Sequence, residues 1–155
     1  MNLFPRSDRA GRTAAVVAAI GFAGIALFEV ALAAGVPWGH AAWGGAHAHL
    51  STAQRIGGAA AVVVWTAAAL IVLGRVGFWG GGRLAGLFRW GTWILAVVSG
   101  IGAVLNFASQ SRWENLIFGP TGLLLAILCI VVARGPSPSS TRARGSGTGA
   151  GRTRP

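Results

Sequence analysis

Charged residues divide this chain into four long apolar stretches. The first runs from Thr13 to Gly35 and contains one charged residue, Glu29. The other three lie between Arg55 and Arg75, Arg89 and Arg112, and Glu114 and Arg134, with 19, 22 and 19 uncharged positions in between. At 1.5 Å per residue, such helices are about 28 to 33 Å long, which matches the hydrocarbon core of a bilayer. The pattern predicts an all-α fold, a bundle of four transmembrane helices at about 13–35, 55–74, 90–110 and 112–133.

The chain ends flank this bundle and differ from it in composition. We expect a short segment at 1–12, a transmembrane domain at 13–134 and a tail at 135–155. The tail consists of Gly, Ser, Thr, Pro and Arg with two alanines. Because such a sequence cannot bury a core, the tail is predicted to be disordered and basic.

Composition excludes an ordinary soluble domain. Of 155 residues, 54% are hydrophobic and only 10% are charged, against about a quarter charged in typical soluble proteins. The basic start and the small residues Ala31 to Gly35 also fit a signal peptide. This apolar stretch exceeds the usual length of about 7 to 15 residues and carries a glutamate, which favours a retained helix. Cleavage nevertheless remains open at this stage.

All thirteen cations are arginines, and their distribution predicts orientation. They number 3, 1, 3, 1 and 5 across the five segments outside the helices. Since positively charged loops stay in the cytoplasm, both termini are expected inside. This alternation also explains the net charge of +10 without nucleic acid. The expected partners are therefore the lipid bilayer and a second copy or another membrane protein.

Glu29 is the candidate of greatest interest. It lies six residues before Gly35, hence about 9 Å below the outer end of its helix. Acids at such depth usually face a protein interior or a wet cavity. One interpretation is structural: a glutamate that serves helix packing, either neutral or ion-paired with Arg55 or Arg112 reaching down from the outer surface. The other makes Glu29 a proton carrier or a ligand-binding group.

The third predicted helix offers a polar partner at similar depth. Asn106 continues a face of small and polar residues, which lets helices approach closely: Ser99, Gly102, Ala103, Ser109 and Gln110. Small residues on the first helix share a face with the acid: Ala18, Gly21 and Ala26. The sequence thus predicts one polar layer near the outer leaflet, formed by Glu29, Asn106, Arg55, Arg112 and Glu114.

Two helix starts and one helix break are visible in the sequence. Ser51 with Gln54, and Ser111 with Glu114, have the spacing of a capping box. Pro120 follows the second of these starts, removes a backbone hydrogen bond and is expected to kink the fourth helix, a feature that most often serves packing. Breaks of this kind leave carbonyls free for water or a ligand.

The segment from Gly35 to Leu50 contains all three histidines and no charged residue. We expect it to cover the polar layer as a lid, with the following residues: Trp38, His40, Trp43, His47 and His49. A metal needs three or four ligands with outer support, and the histidine spacing matches no standard pattern. Even with Glu29 as an added ligand, solvated loop histidines are therefore the preferred interpretation, and no metal site is predicted.

Two short motifs, PWG…GG and NxxSxSxxE…P, occur in these segments. With Arg55 between them, they are carried here by Val36, Pro37, Trp38, Gly39, Gly44, Gly45, Asn106, Ser109, Ser111, Glu114 and Pro120. In these residues the chain resembles a family of small four-helix bacterial integral membrane proteins without known activity. The resemblance covers about residues 15–134. It implies a multi-pass location in the bacterial plasma membrane.

A second resemblance is to small multidrug-resistance transporters, which have four helices and a glutamate in the first. It implies proton-coupled export of cations by a dimer, with Glu29 as the shared proton and drug site. The long first outer loop and the shallow position of Glu29 depart from that family's pattern. No other motif is shared.

Function is therefore expected to be non-enzymatic, because no nucleophile and base occur at workable spacing. No cofactor is predicted. The preferred hypothesis is a structural, interaction or lipid-associated bundle, and the alternative is a small proton-coupled transporter that uses Glu29.

Overall fold

The computed structural model describes residues 6–79 and 82–135. Helix α1 spans Arg6–Ala34, α2 Thr52–Arg75, α3 Ala85–Phe107 and α4 Gly119–Arg134. A π-helical turn, Glu114–Phe118, leads into α4, and two 3-10 turns, Gly39–Ala41 and Trp43–Gly45, lie between α1 and α2. Apart from Gly135, the tail predicted to be disordered lies outside the described residues.

The four long helices confirm the predicted all-α bundle. Each is long and apolar enough to cross a membrane, over Arg9–Ala34, Thr52–Arg75, Ala85–Phe107 and Glu114–Arg134. Helix α1 begins earlier than the expected residue 13, and α3 both begins and ends earlier than expected. The earlier end of α3 places Ser109 and Gln110 in the connection to α4 instead of on a helix.

The helices form an antiparallel ring. Each packs against its neighbours in the chain, and α1 also packs against α4. At one end, the side chain of Arg55 at the start of α2 reaches the carbonyl of Ala33 at the end of α1. We call this the loop end; it includes residues 35–51 and 108–113.

The outer surface of the ring is apolar. Large hydrophobic side chains such as Leu27, Ile56 and Val63 are about two-thirds exposed or more. Contiguous apolar surface of this kind is rare on soluble monomers. It suits contact with lipid chains, as expected of a multi-pass membrane protein.

Small residues let the helices approach closely. An added Cβ at Gly122 of α4 would lie 3.2 Å from backbone atoms of Ser99 and Ala103 on α3. This contact confirms that the small-residue face of α3 points inward. On α1, Ala18 and Ala26 are likewise buried. In lipid, where apolar side chains gain little by leaving the solvent, such close packing is the main force between helices.

The end opposite the loop end is fastened by a buried arginine. Arg75, at the end of α2, is 5% exposed. Its Nη2 donates hydrogen bonds to the carbonyls of Ala133 at 3.2 Å and Gly135 at 2.6 Å. It therefore satisfies carbonyls that α4 leaves without a helical partner. Arg75, which entered the sequence analysis only as evidence of orientation, thus also joins α2 to α4.

The two predicted capping boxes have different outcomes. At the start of α2, Ser51 and Gln54 form the complete reciprocal pair. At the second site, the Ser111 hydroxyl accepts from the Glu114 amide at 3.4 Å, but the amide of Ser111 donates to the Ser109 hydroxyl instead. The second prediction is therefore half wrong, because the Glu114 carboxylate is engaged elsewhere.

Candidate functional site

The segment between α1 and α2 folds back over the loop end. Gly39 packs so closely that an added Cβ would lie 2.3 Å from the carbonyl oxygen of His47. Its amide donates to the carbonyl of Ala48 at 2.8 Å. The positive φ of Gly44 and Gly45, 78° and 75°, turns the chain between these contacts. The segment is thus a structured lid, which we define as residues 35–50.

Glu114 holds this lid to the start of the fourth span. One carboxylate oxygen accepts from the amide of Gly44 at 3.0 Å, and the other accepts from the hydroxyl of Ser109. Beside it, the Ser111 hydroxyl donates to the carbonyl of His40 at 2.7 Å. Glu114 itself is 9% exposed. Both oxygens of this buried acid are therefore satisfied within the protein, as buried charges require.

Two tryptophans of the lid have different positions. The Trp38 ring stacks on Phe28 of α1 with centroids 6.2 Å apart. Trp43 adopts φ of 54°, which is unusual for a residue with a side chain, and its ring lies against Gly57 of α2. Trp43 also lines the cavity below the lid. The left-handed backbone at Trp43 thus occurs where its ring packs against α2 and lines the cavity.

Beneath the lid is a cavity of about 280 Å³. All four helices contribute to it, and the wall is mainly apolar. Aromatic side chains from three segments and the lid form much of the lining: Phe28, Trp43, Trp65 and Phe118. The polar side chains in the wall are Glu29, Ser99, Asn106 and Glu114. No basic side chain is present among the described residues of this wall.

Two polar atoms near the cavity are buried without a hydrogen-bond partner: Oε2 of Glu29 and Oγ of Ser99. Glu29 Oε2 lies over α2, where an added Cβ at Gly58 would be 3.1 Å away. Ser99 is 4% exposed. A buried polar atom without a partner normally costs about 1 to 3 kcal/mol. These two atoms make this wall the candidate functional site.

The structure brings together three of the predicted site residues. Glu29, Asn106 and Glu114 line the same cavity. Arg55 and Arg112 do not join them. The Arg55 side chain donates from Nε to the carbonyl of Ala33 at 2.9 Å, and Arg112 is exposed. Among the described residues, neither arginine bonds to Glu29, so the proposed ion pair with Glu29 is wrong.

The two arginines fail to reach Glu29 for different reasons. The guanidinium of Arg55 lies beside Gly35, and its Nε donates to the carbonyl of Ala33 at the end of α1. Arg112 instead borders a surface depression with Trp113, Leu116 and Ile117.

The histidines have lid positions that separate them from the cavity. The ring of His40 makes a 2.9 Å hydrogen bond through Nδ1 with the carbonyl of Gly45. His47 and His49 are exposed. Over residues 6–79 and 82–135, no group of three or more His, Cys, Asp or Glu side chains could hold a metal ion.

Near Pro120, where a kink is expected, a π-helical turn leads into α4. Pro120 occupies the second position of α4, directly after the π-helical turn. The wider turn places both Glu114 and Phe118 at the cavity. Single π-helical turns often occur at functional sites. Here the turn contains Glu114, the acid that accepts a hydrogen bond from Gly44 of the lid.

Sequence reasoning gave no site role to Ser99 or Trp65. Ser99 is part of the small-residue face of α3. Trp65 lies near the middle of the apolar stretch between Arg55 and Arg75. Trp65 stacks on Phe22 with centroids 5.7 Å apart and also borders the cavity. Its central position, away from the interfaces that tryptophan usually favours, was the available signal.

Comparison with protein-family models, curated proteins and solved structures finds no match to this chain.

Removal of the Glu114 carboxylate should release the lid. We expect Glu114→Ala to increase the amide hydrogen exchange rate of Gly44 and its neighbours, because the acceptor at 3.0 Å is lost. Exchange measured by mass spectrometry in detergent micelles tests this. Arg112→Ala, which removes an exposed charge two positions away, is the control and should leave lid exchange unchanged. Equal exchange in both variants would show that Glu114 does not hold the lid.

Proposed function

We propose that this chain is a multi-pass protein of the bacterial plasma membrane, with both termini inside, whose cavity near the outer leaflet binds a ligand without enzymatic turnover. Four membrane-length helices and the alternating arginine count support the location. In this orientation, the lid faces the exterior. We further propose membership in the four-helix bacterial family that shares the PWG…GG motif.

The contrast between the two acids that line the cavity carries the binding proposal. Glu114 is hydrogen-bonded through both oxygens to its own chain. Glu29 borders the same cavity with an oxygen that has no partner. A carboxylate that served only helix packing would be satisfied by neighbouring groups, since hydrocarbon offers none. Glu29 is therefore best explained as a binding group and Glu114 as a structural one.

Neutralising each acid should separate these roles. Glu29→Gln keeps the shape and removes only a charge that no protein group satisfies, so we expect a melting temperature equal to or above wild type. Glu114→Gln weakens two hydrogen bonds and should lower the free energy of unfolding by about 1 to 3 kcal/mol. Circular dichroism melting curves of the purified protein measure both. A lower melting temperature for Glu29→Gln than for Glu114→Gln would contradict the assignment.

The orientation can be tested with introduced cysteines, because the native Cys129 is fully buried. His49 in the lid and Arg83 between α2 and α3 are both exposed. A membrane-impermeant maleimide added to intact cells should label His49→Cys but not Arg83→Cys, and cell lysis should make both reactive. Labelling of only Arg83→Cys in intact cells would reverse the topology.

A second candidate function is proton-coupled transport through the same cavity. The unpartnered carboxylate of Glu29 favours it, because proton carriers in membranes are typically acids that border a wet cavity. In liposomes with an imposed pH gradient, transport predicts that wild type exchanges protons for a bound substrate and that Glu29→Gln does not. A binding protein predicts equal, background proton flux for both, and that result would exclude coupling.

A further inference from the structure

The cavity offers acceptors to a ligand and no positive charge. Among the described residues of the wall, Oε2 of Glu29 and Oγ of Ser99 are buried without a hydrogen-bond partner, and Asn106 borders the same space. Both carboxylate oxygens of Glu114 already accept hydrogen bonds from the chain. The group that completes this wall must therefore donate hydrogen bonds and compensate one negative charge.

Ser99 has a matched counterpart on the same helix. Thr92 precedes it by seven positions, is also buried, and donates from Oγ1 to the carbonyl of Phe88 at 2.7 Å. Hydroxyls inside helices commonly satisfy themselves in this way. Ser99 makes no such bond. Among the described residues, Ser99 Oγ thus has no hydrogen-bond partner, whereas Thr92 Oγ1 has one.

The remaining lining selects the body of the ligand. Trp43 from the lid and Trp65 from α2 both border the cavity, and aromatic faces attract cations as well as apolar groups. The volume of about 280 Å³ lies just below the roughly 300 to 1,000 Å³ typical of sites for drug-sized ligands. The space suits a small molecule with one charged end and a compact apolar end.

Phe28, Ala41 and Phe118 line a second, aromatic groove of about 520 Å³ as well as the cavity. The groove contains Trp38 and Trp113, which are both exposed. The two spaces are therefore separated by shared side chains at the loop end.

We propose that the cavity binds a primary ammonium ion with a small aromatic or alkyl body, held by Glu29 and Ser99. The proposal rests on the proposed ligand-binding function. A primary ammonium has three N–H donors, so it can bond to the carboxylate and to the hydroxyl oxygen together. A quaternary ammonium has the charge but no donor. A metal ion would require more ligands than this wall supplies.

The test compares three compounds with the same phenylethyl body: 2-phenylethylammonium, 2-phenylethyltrimethylammonium and 2-phenylethanol. The full chain is placed in nanodiscs, and binding is measured by equilibrium dialysis against empty nanodiscs. The variants are Glu29→Gln, Ser99→Ala and, as the matched control, Thr92→Val. Circular dichroism melting curves verify that each variant is folded.

We expect the primary ammonium to bind at least about tenfold more tightly than either other compound, because hydrogen bonds to charged groups contribute about that factor. Glu29→Gln should weaken its binding about tenfold or more and Ser99→Ala about fivefold. Thr92→Val should leave the dissociation constant unchanged, and the alcohol should be insensitive to Glu29→Gln.

Other results separate this inference from the broader function. Equal affinity for the quaternary compound would overturn recognition through N–H groups and leave ligand binding intact. Equal affinity for the alcohol, insensitive to Glu29→Gln, would overturn ammonium recognition alone. An absence of binding by all three compounds, with a stable Glu29→Gln variant, would contradict the ligand class. The same absence with an unstable variant would also remove the proposed function.

Discussion

Hydrocarbon supplies no hydrogen-bond partners, and this constraint governs every polar group in the bundle. Most of the buried polar groups meet it internally. Arg75 binds carbonyls at the end of α4, and Thr92 donates to its own helix. Among the described residues that line the cavity, Glu29 and Ser99 are the ones with a buried side-chain atom that lacks a hydrogen-bond partner, and they are informative for that reason.

The loop end and the opposite end of the bundle satisfy their polar groups in different ways. At the opposite end, one long arginine side chain completes the carbonyls of a neighbouring helix. At the loop end, a folded lid is joined to the fourth span through Glu114 and Ser111. A lid connected by a few hydrogen bonds can open at lower cost than a packed helix pair. The loop end is thus the better place for a site that exchanges ligand.

The site combines a lid held by a few hydrogen bonds with a wall of packed helices. Glu29, Ser99 and Trp65 project from helices whose packing fixes their positions, including the close approach of α3 and α4 at Gly122. Trp43 comes from the lid and completes the wall. Sites placed on rigid elements bind with more defined geometry than sites on loops alone. A ligand in this cavity would contact both parts, so binding and lid closure would be coupled.

The amino-acid sequence specifies the number of candidate spans, because uninterrupted apolar length and charge spacing are properties of the order of residues. It also specifies that the faces with Glu29 and Asn106 point inward, because small and polar residues at helical spacing pack against protein in lipid. It could not determine which acid is satisfied: Ser111 and Glu114 have the spacing of a local cap, yet Glu114 bonds to Gly44, seventy positions away. Likewise, Arg55 and Arg112 were equally suitable partners for Glu29 by depth, but side-chain direction and competing carbonyls exclude both. These pairings are properties of the folded bundle, since a hydrogen bond depends on positions set by the packing of distant helices and by the course of the lid.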